Sequence, residues 1–256
     1  MTPDSYFQIV STLNLDAYRA GAEHPDLVQA RSGQLTVEYA PFDHIENGAE
    51  LVIVGLTPGR QQAANALEVL ARELKIGTPR EIAMERAKRV ASFSGPMRSN
   101  LIAMLDEVGV PALYGRSSAT EFFSDKQSRV HFTSALRYPV YLGGGNYSGT
   151  PKPLSHPILK RMVETHLAEE ADRLKAAVWV PLGQHAEAAL LHLSSLGRLS
   201  RANILTGLPH PSGANAERIA YFLGRKDRSS LSVKTNATKI DEAKEQLLDQ
   251  VGRLRK

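Results

Sequence analysis

Six consecutive residues, His210-Pro211-Ser212-Gly213-Ala214-Asn215, put an imidazole, a hydroxyl and an amide on one short loop. An imidazole can hold or release a proton near neutral pH. Backbone N–H groups at the start of a following helix suit an anion such as phosphate. A strand-to-helix turn whose histidine merely caps a neighbour would use the same residue types. A second group, Gly55-Leu56-Thr57-Pro58-Gly59-Arg60, sets a hydroxyl between two glycines. A hydroxyl orients water but is a poor base near neutral pH.

Other chemistries find no residues. With no cysteine among 256 residues, disulfides, thiolate catalysis, cysteine-ligated zinc and iron–sulfur clusters are excluded. His185 and His192 lie seven apart on about the same helix face with no third ligand suggested nearby, so no metal is expected. Neither Gly55–Gly59 nor the glycine-rich stretch 143–149 has the spacing of a dinucleotide or P-loop motif, so no nucleotide cofactor is expected. A G-x-S-x-G nucleophile elbow is also missing.

The elements that must position these loops follow from hydrophobic periodicity. Glu50–Val54, Arg129–Leu136, Ala177–Gly183 and Asn203–Leu208 read as strands, the first a continuous apolar run of the kind buried on both faces of a parallel sheet. Gln34–Tyr39 alternates as an edge strand would. Helices are expected near 6–20, through Ala63–Leu74, Pro79–Ala91, Leu101–Val108 and Gln184–Leu193, and over 240–254; another runs to Lys175, with Ser155 as its N-cap. Residues 137–154 read as a long loop. Strands alternating with helices imply right-handed parallel crossovers and helices on both sheet faces. The expectation is an α/β fold, a three-layer sandwich with a central four-stranded, mostly parallel sheet, in one domain spanning 1–256. At the carboxyl ends of such strands lies the crevice where open α/β sheets bind ligands.

Bulk properties set the setting. Hydrophobic content of 42% and charged content of 23% are ordinary for a globular protein. A formal charge of +4 permits a polyanionic partner without demanding one. The opening residues have no basic and apolar leader pattern, and no run of about 18 apolar residues occurs. A cytoplasmic protein with no membrane association, and a monomer, is expected.

The two loops, in this order and context, resemble the uracil-DNA glycosylase superfamily. Its first motif is a G-x-x-P-G or G-x-D-P-Y-H loop after strand one, and its last is an H-P-S loop after the final strand. The stretch from Phe93 to Leu101 is similar to the segment bearing the aromatic that stacks on a flipped base. Val130–Leu136 resembles the strand ending in the base-reading residue, and Ala177–Ala186 the family's V-V-x-L-G-x-x-A segment. The likeness covers about 48–220. It implies a DNA partner, single- or double-stranded, and extrusion of a base before chemistry. By the same resemblance His210 donates a hydrogen bond to the departing base and Thr57 holds water. Gly55, Leu56, Pro58, Gly59, Phe93 and Ser134 line the base pocket, where the two turns are expected to meet. Ser212, Gly213, Asn215, Arg218 and Arg60 contact DNA, with Lys226 and the Arg80–Arg89 helix adding sequence-independent attraction.

Two departures matter. Thr57 stands where an Asp or Asn is found in the best-known uracil-removing branches. Ser134 stands where an Asn would pair with uracil, and a small hydroxyl leaves more room. Asp43 or Asp106 could supply a base instead. A DNA glycosylase releasing a damaged or modified base without strand cleavage is the leading expectation. A catalytically silent nucleic-acid-binding module and a nucleoside hydrolase are the alternatives.

Overall fold

A computed structural model describes residues 6–92, 96–123 and 129–255. In chain order the elements are helices α1 (Phe7–Thr12) and α2 (Leu15–Arg19), then strands β1 (Val28–Ser32), β2 (Leu35–Glu38) and β3 (Leu51–Gly55). Helices α3 (Arg60–Lys75), α4 (Arg80–Ala91) and α5 (Pro96–Glu107) follow, then β4 (Val130–Ser134), β5 (Val140–Leu142) and β6 (Gly145–Asn146). The chain continues with α6 (Pro157–Met162), α7 (Ala168–Arg173), β7 (Val178–Pro181), α8 (Gln184–Ser195), α9 (Ala216–Phe222) and α10 (Ala237–Leu254). Among the described residues no helix is long and apolar enough to cross a membrane.

The expected α/β character is present, but the parallel sheet has three strands, in the order β4-β3-β7. All five residues of β3 are buried, as their unbroken apolar run requires. Leu51 to Val54 pair in parallel with Val178 to Pro181. The expected fourth strand, Asn203–Leu208, is reduced to one parallel bridge between Trp179 and Ile204. The reason is local. Pro209 and Pro211 have no N–H to give a ladder, and Gly207 sits at φ +108°. Thr206 N donates instead to Gln250 Oε1 of α10 at 3.1 Å. A side chain on Gly207 would lie 3.1 Å from Ala243 O, so only glycine lets α10 approach there.

Two compact units are distinguished by their internal contacts. One comprises residues 1–47, 55–92 and 132–173; the other comprises 48–54, 93–131 and 174–256. In the first, α3 packs on α1, α2 and α4. A second, antiparallel sheet runs β1-β2-β5-β6. Leu35–Glu38 is therefore an inner strand, fully buried, rather than the expected edge. Its extra neighbour comes from the stretch 137–154, read above as a loop. Gly143 and Gly144, at φ +57° and +80°, close a two-residue hairpin between β5 and β6. Positive φ at both positions is what such a turn demands. The helix expected to run to Lys175 spans Pro157–Arg173 and includes a π-helical segment, Val163–Leu167. Its N-cap is His156, with Ser155 in a preceding 3-10 turn.

The second unit centres on Trp179, fully buried, with Nε1 donating to Leu174 O at 3.3 Å. Leu190, Leu193, Leu101, Leu105, Phe222 and Leu247 are buried in the same unit.

In the first unit the Arg137 guanidinium lies 2.8 Å from Glu170 Oε1, with side chains 5% and 0% exposed. It also bonds Glu169 at 3.2 Å and His166 O at 3.0 Å. Removing one member of such a buried pair strands the other charge. Glu170→Ala is expected to destabilise by about 3–5 kcal/mol in urea unfolding. Glu164→Ala, at an exposed pair with Lys160, should stay within about 1 kcal/mol.

Candidate active site

The His210 loop belongs to the second unit. It leaves the single bridge at Ile204 and passes Gly207 and Pro209, then turns back on itself. Ser212 N donates to His210 Nδ1 at 3.2 Å. An amide must give its hydrogen, so Nδ1 is the acceptor, and in a neutral ring the proton sits on Nε2. Burial lowers the imidazole pKa. Both observations favour a neutral ring that presents Nε2–H.

Two further groups of the same unit hold this loop. Asn100 Nδ2, from α5, donates to Pro211 O at 2.9 Å. Gly183, just after β7, stands against the imidazole: a Cβ there would lie 3.4 Å from His210 Cδ2. Gly183 has φ +91° and ψ 166°, a conformation open essentially to glycine alone. Beyond the ring, Asn215 Nδ2 reaches Ser212 Oγ at 3.4 Å and Arg218 donates to Asn215 Oδ1 at 3.1 Å. Gly213 faces open space.

The Thr57 turn belongs to the first unit. Gly55 O and Leu56 O accept from Ala135 N and Leu136 N at 2.8 and 2.9 Å. The Thr57 hydroxyl donates to Tyr138 O at 3.0 Å and accepts from Val140 N at 3.1 Å. Its single proton is thus held by backbone, and the hydroxyl fastens the turn to the start of β5. Pro58 is buried, and Gly59 caps α3, its N–H bonded to Gln62 Oε1 at 3.0 Å. Arg60 N donates to Asn146 Oδ1 of the glycine hairpin at 2.9 Å. The Arg60 guanidinium lies over the Tyr141 ring at 3.9 Å and donates to Gly144 O at 3.3 Å.

Asp43 is in this unit too. It accepts a hydrogen bond from the Tyr138 hydroxyl, while its second oxygen is buried with no hydrogen-bond partner among the described residues. Burial pushes its carboxyl pKa up, opposed by the Tyr138 bond and by the charges of Arg137 and Lys88. Lys88 is itself buried, its pKa lowered to about 8, and donates to His44 O at 2.6 Å. Asp106, in the second unit, accepts from Ala119 N at 2.6 Å and Ser118 Oγ at 2.9 Å, so it caps a 3-10 turn.

The chain was compared with known proteins. Residues 42–231 match the family model of the uracil DNA glycosylase superfamily. A protein of Bacillus subtilis (strain 168), the uncharacterized protein YoxB, is 35% identical over 216 residues, covering 83% of this chain and 84% of its own. No solved structure matches. The chain belongs to the uracil DNA glycosylase superfamily.

Enzymes of this superfamily act on DNA and generally hydrolyse N-glycosyl bonds. The matched span takes in both motif turns and extends the likeness read from sequence at either end. Within it, Gly55, Leu56, Thr57, Pro58, Gly59, Arg60 and Ser134 fall in the first unit; His210, Ser212, Gly213, Asn215 and Arg218 fall in the second. Ser134 ends β4, half-buried. Phe93, expected to stack on the base, lies outside the described residues. Much of the basic α4 face is engaged within the chain: Arg80 lies over the Phe7 ring at 4.9 Å and Arg86 bonds Glu73 at 2.6 Å. Sequence reading missed Asn100 and Gly183 as supports of the histidine loop. The glycine following a buried strand was the available signal for Gly183; nothing in the sequence marked Asn100.

Gly183→Ala is expected to cost about 1–3 kcal/mol through backbone strain. A Cβ 3.4 Å from the His210 ring is in ordinary contact, so the cost is in the backbone, read as a loss of stability in urea unfolding with the imidazole NMR signal little changed.

Proposed function

We propose that the chain is a DNA glycosylase that hydrolyses the N-glycosidic bond of an everted, modified pyrimidine and leaves an abasic site without cutting the strand. The observation that carries this reading is the hydrogen bond from Ser212 N to His210 Nδ1, which leaves Nε2 to carry the proton of a neutral ring. As the C1′–N bond breaks, its electron pair leaves with the base and charge grows on a base oxygen. A neutral imidazole with Nε2–H aimed at that oxygen stabilises the charge and need not lose its proton. A well-placed donor of this kind is worth about 3–4 kcal/mol in the transition state. Water completes the reaction by bonding to C1′ of the electron-poor sugar and releasing a proton.

In this mechanism Thr57 is a positioning residue, because its hydroxyl proton is already bonded to Tyr138 O. An oxocarbenium-like centre takes up water without a strong base, which is compatible with a hydroxyl at this position. The base-pocket role of Gly55, Leu56, Pro58, Gly59, Phe93 and Ser134 is part of the same proposal. So are the DNA contacts of Ser212, Gly213, Asn215, Arg218 and Arg60. Ser134 supports the choice of base: it offers one small hydroxyl where an amide would read uracil in two places.

The same Thr57 bonds favour a second reading, a nucleic-acid-binding module with no hydrolytic activity. That protein would bind DNA with strong salt dependence and release no base.

The test is single-turnover incubation with duplexes and single strands carrying uracil or modified pyrimidines, including bulky 5-substituted cytosines. Alkali-labile breaks report abasic sites. Cleavage by the wild type with a loss of about 10²–10³-fold in His210→Ala is expected. DNA binding without breaks on the whole panel would establish the silent module instead.

The pH profile follows from the same geometry. Protonating Nδ1 destroys the bond from Ser212, and burial resists it. The rate should therefore stay level as pH falls through the ordinary imidazole value of about 6.5 and decline only below it. A decline centred above that value would contradict the arrangement.

A further inference from the structure

The chain that carries the histidine loop leaves the parallel sheet early and returns to it late. Leu205 N donates to Trp179 O at 2.8 Å. In that register the next rung would run from residue 181 to Leu205 O, and Pro181 has no N–H to give. From Thr206 onward the chain therefore parts from β7, and it meets that end of the sheet again where His210 lies against Gly183. A buried backbone N–H outside a ladder needs another acceptor. For Thr206 the acceptor is Gln250 Oε1 of α10, at 3.1 Å. Gly207 presses on the same helix: a Cβ there would lie 3.1 Å from Ala243 O, 3.2 Å from Ala243 Cβ and 3.3 Å from Leu247 Cδ1.

Helix α10 is fixed independently of this contact. Leu247 and Val251 are buried, Lys244 Nζ donates to Phe222 O at 2.8 Å and to Glu107, and Arg255 donates to Gly109 O at 3.3 Å. Ala243, Leu247, Gln250 and Leu254 recur at helical spacing, so they share the side of α10 that meets Thr206 and Gly207. Gln250 is the polar member of that stripe, half-buried, where packing alone would favour another apolar side chain. Its amide oxygen answers the one N–H that the departing strand turns outward. Thr206 is also held through its hydroxyl, by Arg201 at 3.5 Å. Between this anchor and His210 stand only Gly207, Leu208 and Pro209. The helix that supplies the anchor lies beyond the family match, which ends at residue 231.

We propose that α10 is a brace for the histidine loop and that Gln250 is a positioning residue, its bond to Thr206 setting where the imidazole of His210 stands. Pro209 and Pro211 have fixed φ, so a shift at Thr206 passes along a short, stiff segment instead of being absorbed. Without the acceptor, Thr206 N–H must turn toward another partner, and the segment moves with it. Misplacing a reacting group by about 1 Å can cost about 10²-fold in rate. The catalytic consequence rests on the glycosylase reading; the brace itself does not.

Two measurements on the full chain test it, with three variants. Gln250→Met keeps the length and loses the amide, Gln250→Glu keeps an acceptor oxygen, and Val251→Ala loosens α10 without touching the bond. In nitrogen NMR, Gln250→Met should move the His210 ring signals away from their wild-type positions, while Gln250→Glu and Val251→Ala leave them close. On a cleaved modified base, Gln250→Met should lower kcat about 10-fold with KM within about 2-fold, and the other two variants should turn over near the wild-type rate. Where Gln250→Met does not fold, Gln250→Asn, one methylene too short, takes its place with the same expectation. Unmoved ring signals, or an equal shift in Gln250→Glu or Val251→Ala, overturn the brace. Moved signals with an unchanged kcat overturn the positioning role. If the wild type cleaves no substrate, the glycosylase reading fails and the NMR pattern alone decides the brace.

Discussion

The candidate site depends on one hydrogen bond, from the Ser212 amide to His210 Nδ1. It fixes which ring nitrogen carries the proton, and hence whether the side chain can donate to an anion without becoming charged. Burial acts in the same direction by disfavouring the imidazolium. The surrounding unit keeps this bond in place from two sides. Asn100 holds the Pro211 carbonyl, and Gly183, just after β7, lies against the ring. The His210 loop is thus also held by a helix and by the end of a strand that arrive from distant parts of the sequence.

The Thr57 turn is built on the opposite principle. Its hydroxyl satisfies one backbone carbonyl and one backbone N–H at the entry to β5, so the side chain that seemed chemically interesting is a fastening. Polar groups of the first unit go further in this direction. Asp43, Tyr138, Arg137, Glu170 and Lys88 are interlinked by hydrogen bonds or by charge, largely out of water, where losing one partner is expensive. Such a network gives rigidity to the unit that carries Gly55–Gly59.

Much of this was legible in the chain. The all-apolar runs at Leu51–Val54 and Val178–Val180 identified strands buried on both faces, and periodicity found α3, α4, α8 and α10. The two motif turns carried the family likeness. Three features escaped for physical reasons. Asn203–Leu208 has strand composition, yet its prolines, Gly207 and the approach of α10 leave only one bridge. The Gly143-Gly144 stretch looked like a loop because a two-residue turn with positive φ at both positions leaves almost no sequence for its short strands. Arg60 and Arg86 read as groups turned toward DNA, whereas Arg60 lies over Tyr141 and Arg86, still exposed, bonds Glu73. A side chain's hydrogen-bond partner is a property of the fold, and spacing in sequence does not reveal it.

The central claim is that His210 is a neutral, Nε2-protonated donor. Nitrogen NMR of the imidazole at neutral pH, assigned by comparison with His210→Gln, tests it most directly. The account predicts the Nε2–H tautomer, with Nδ1 unprotonated and shifted by the Ser212 amide, down to pH values below the ordinary imidazole range. A charged ring at neutral pH, or a proton on Nδ1, would contradict it.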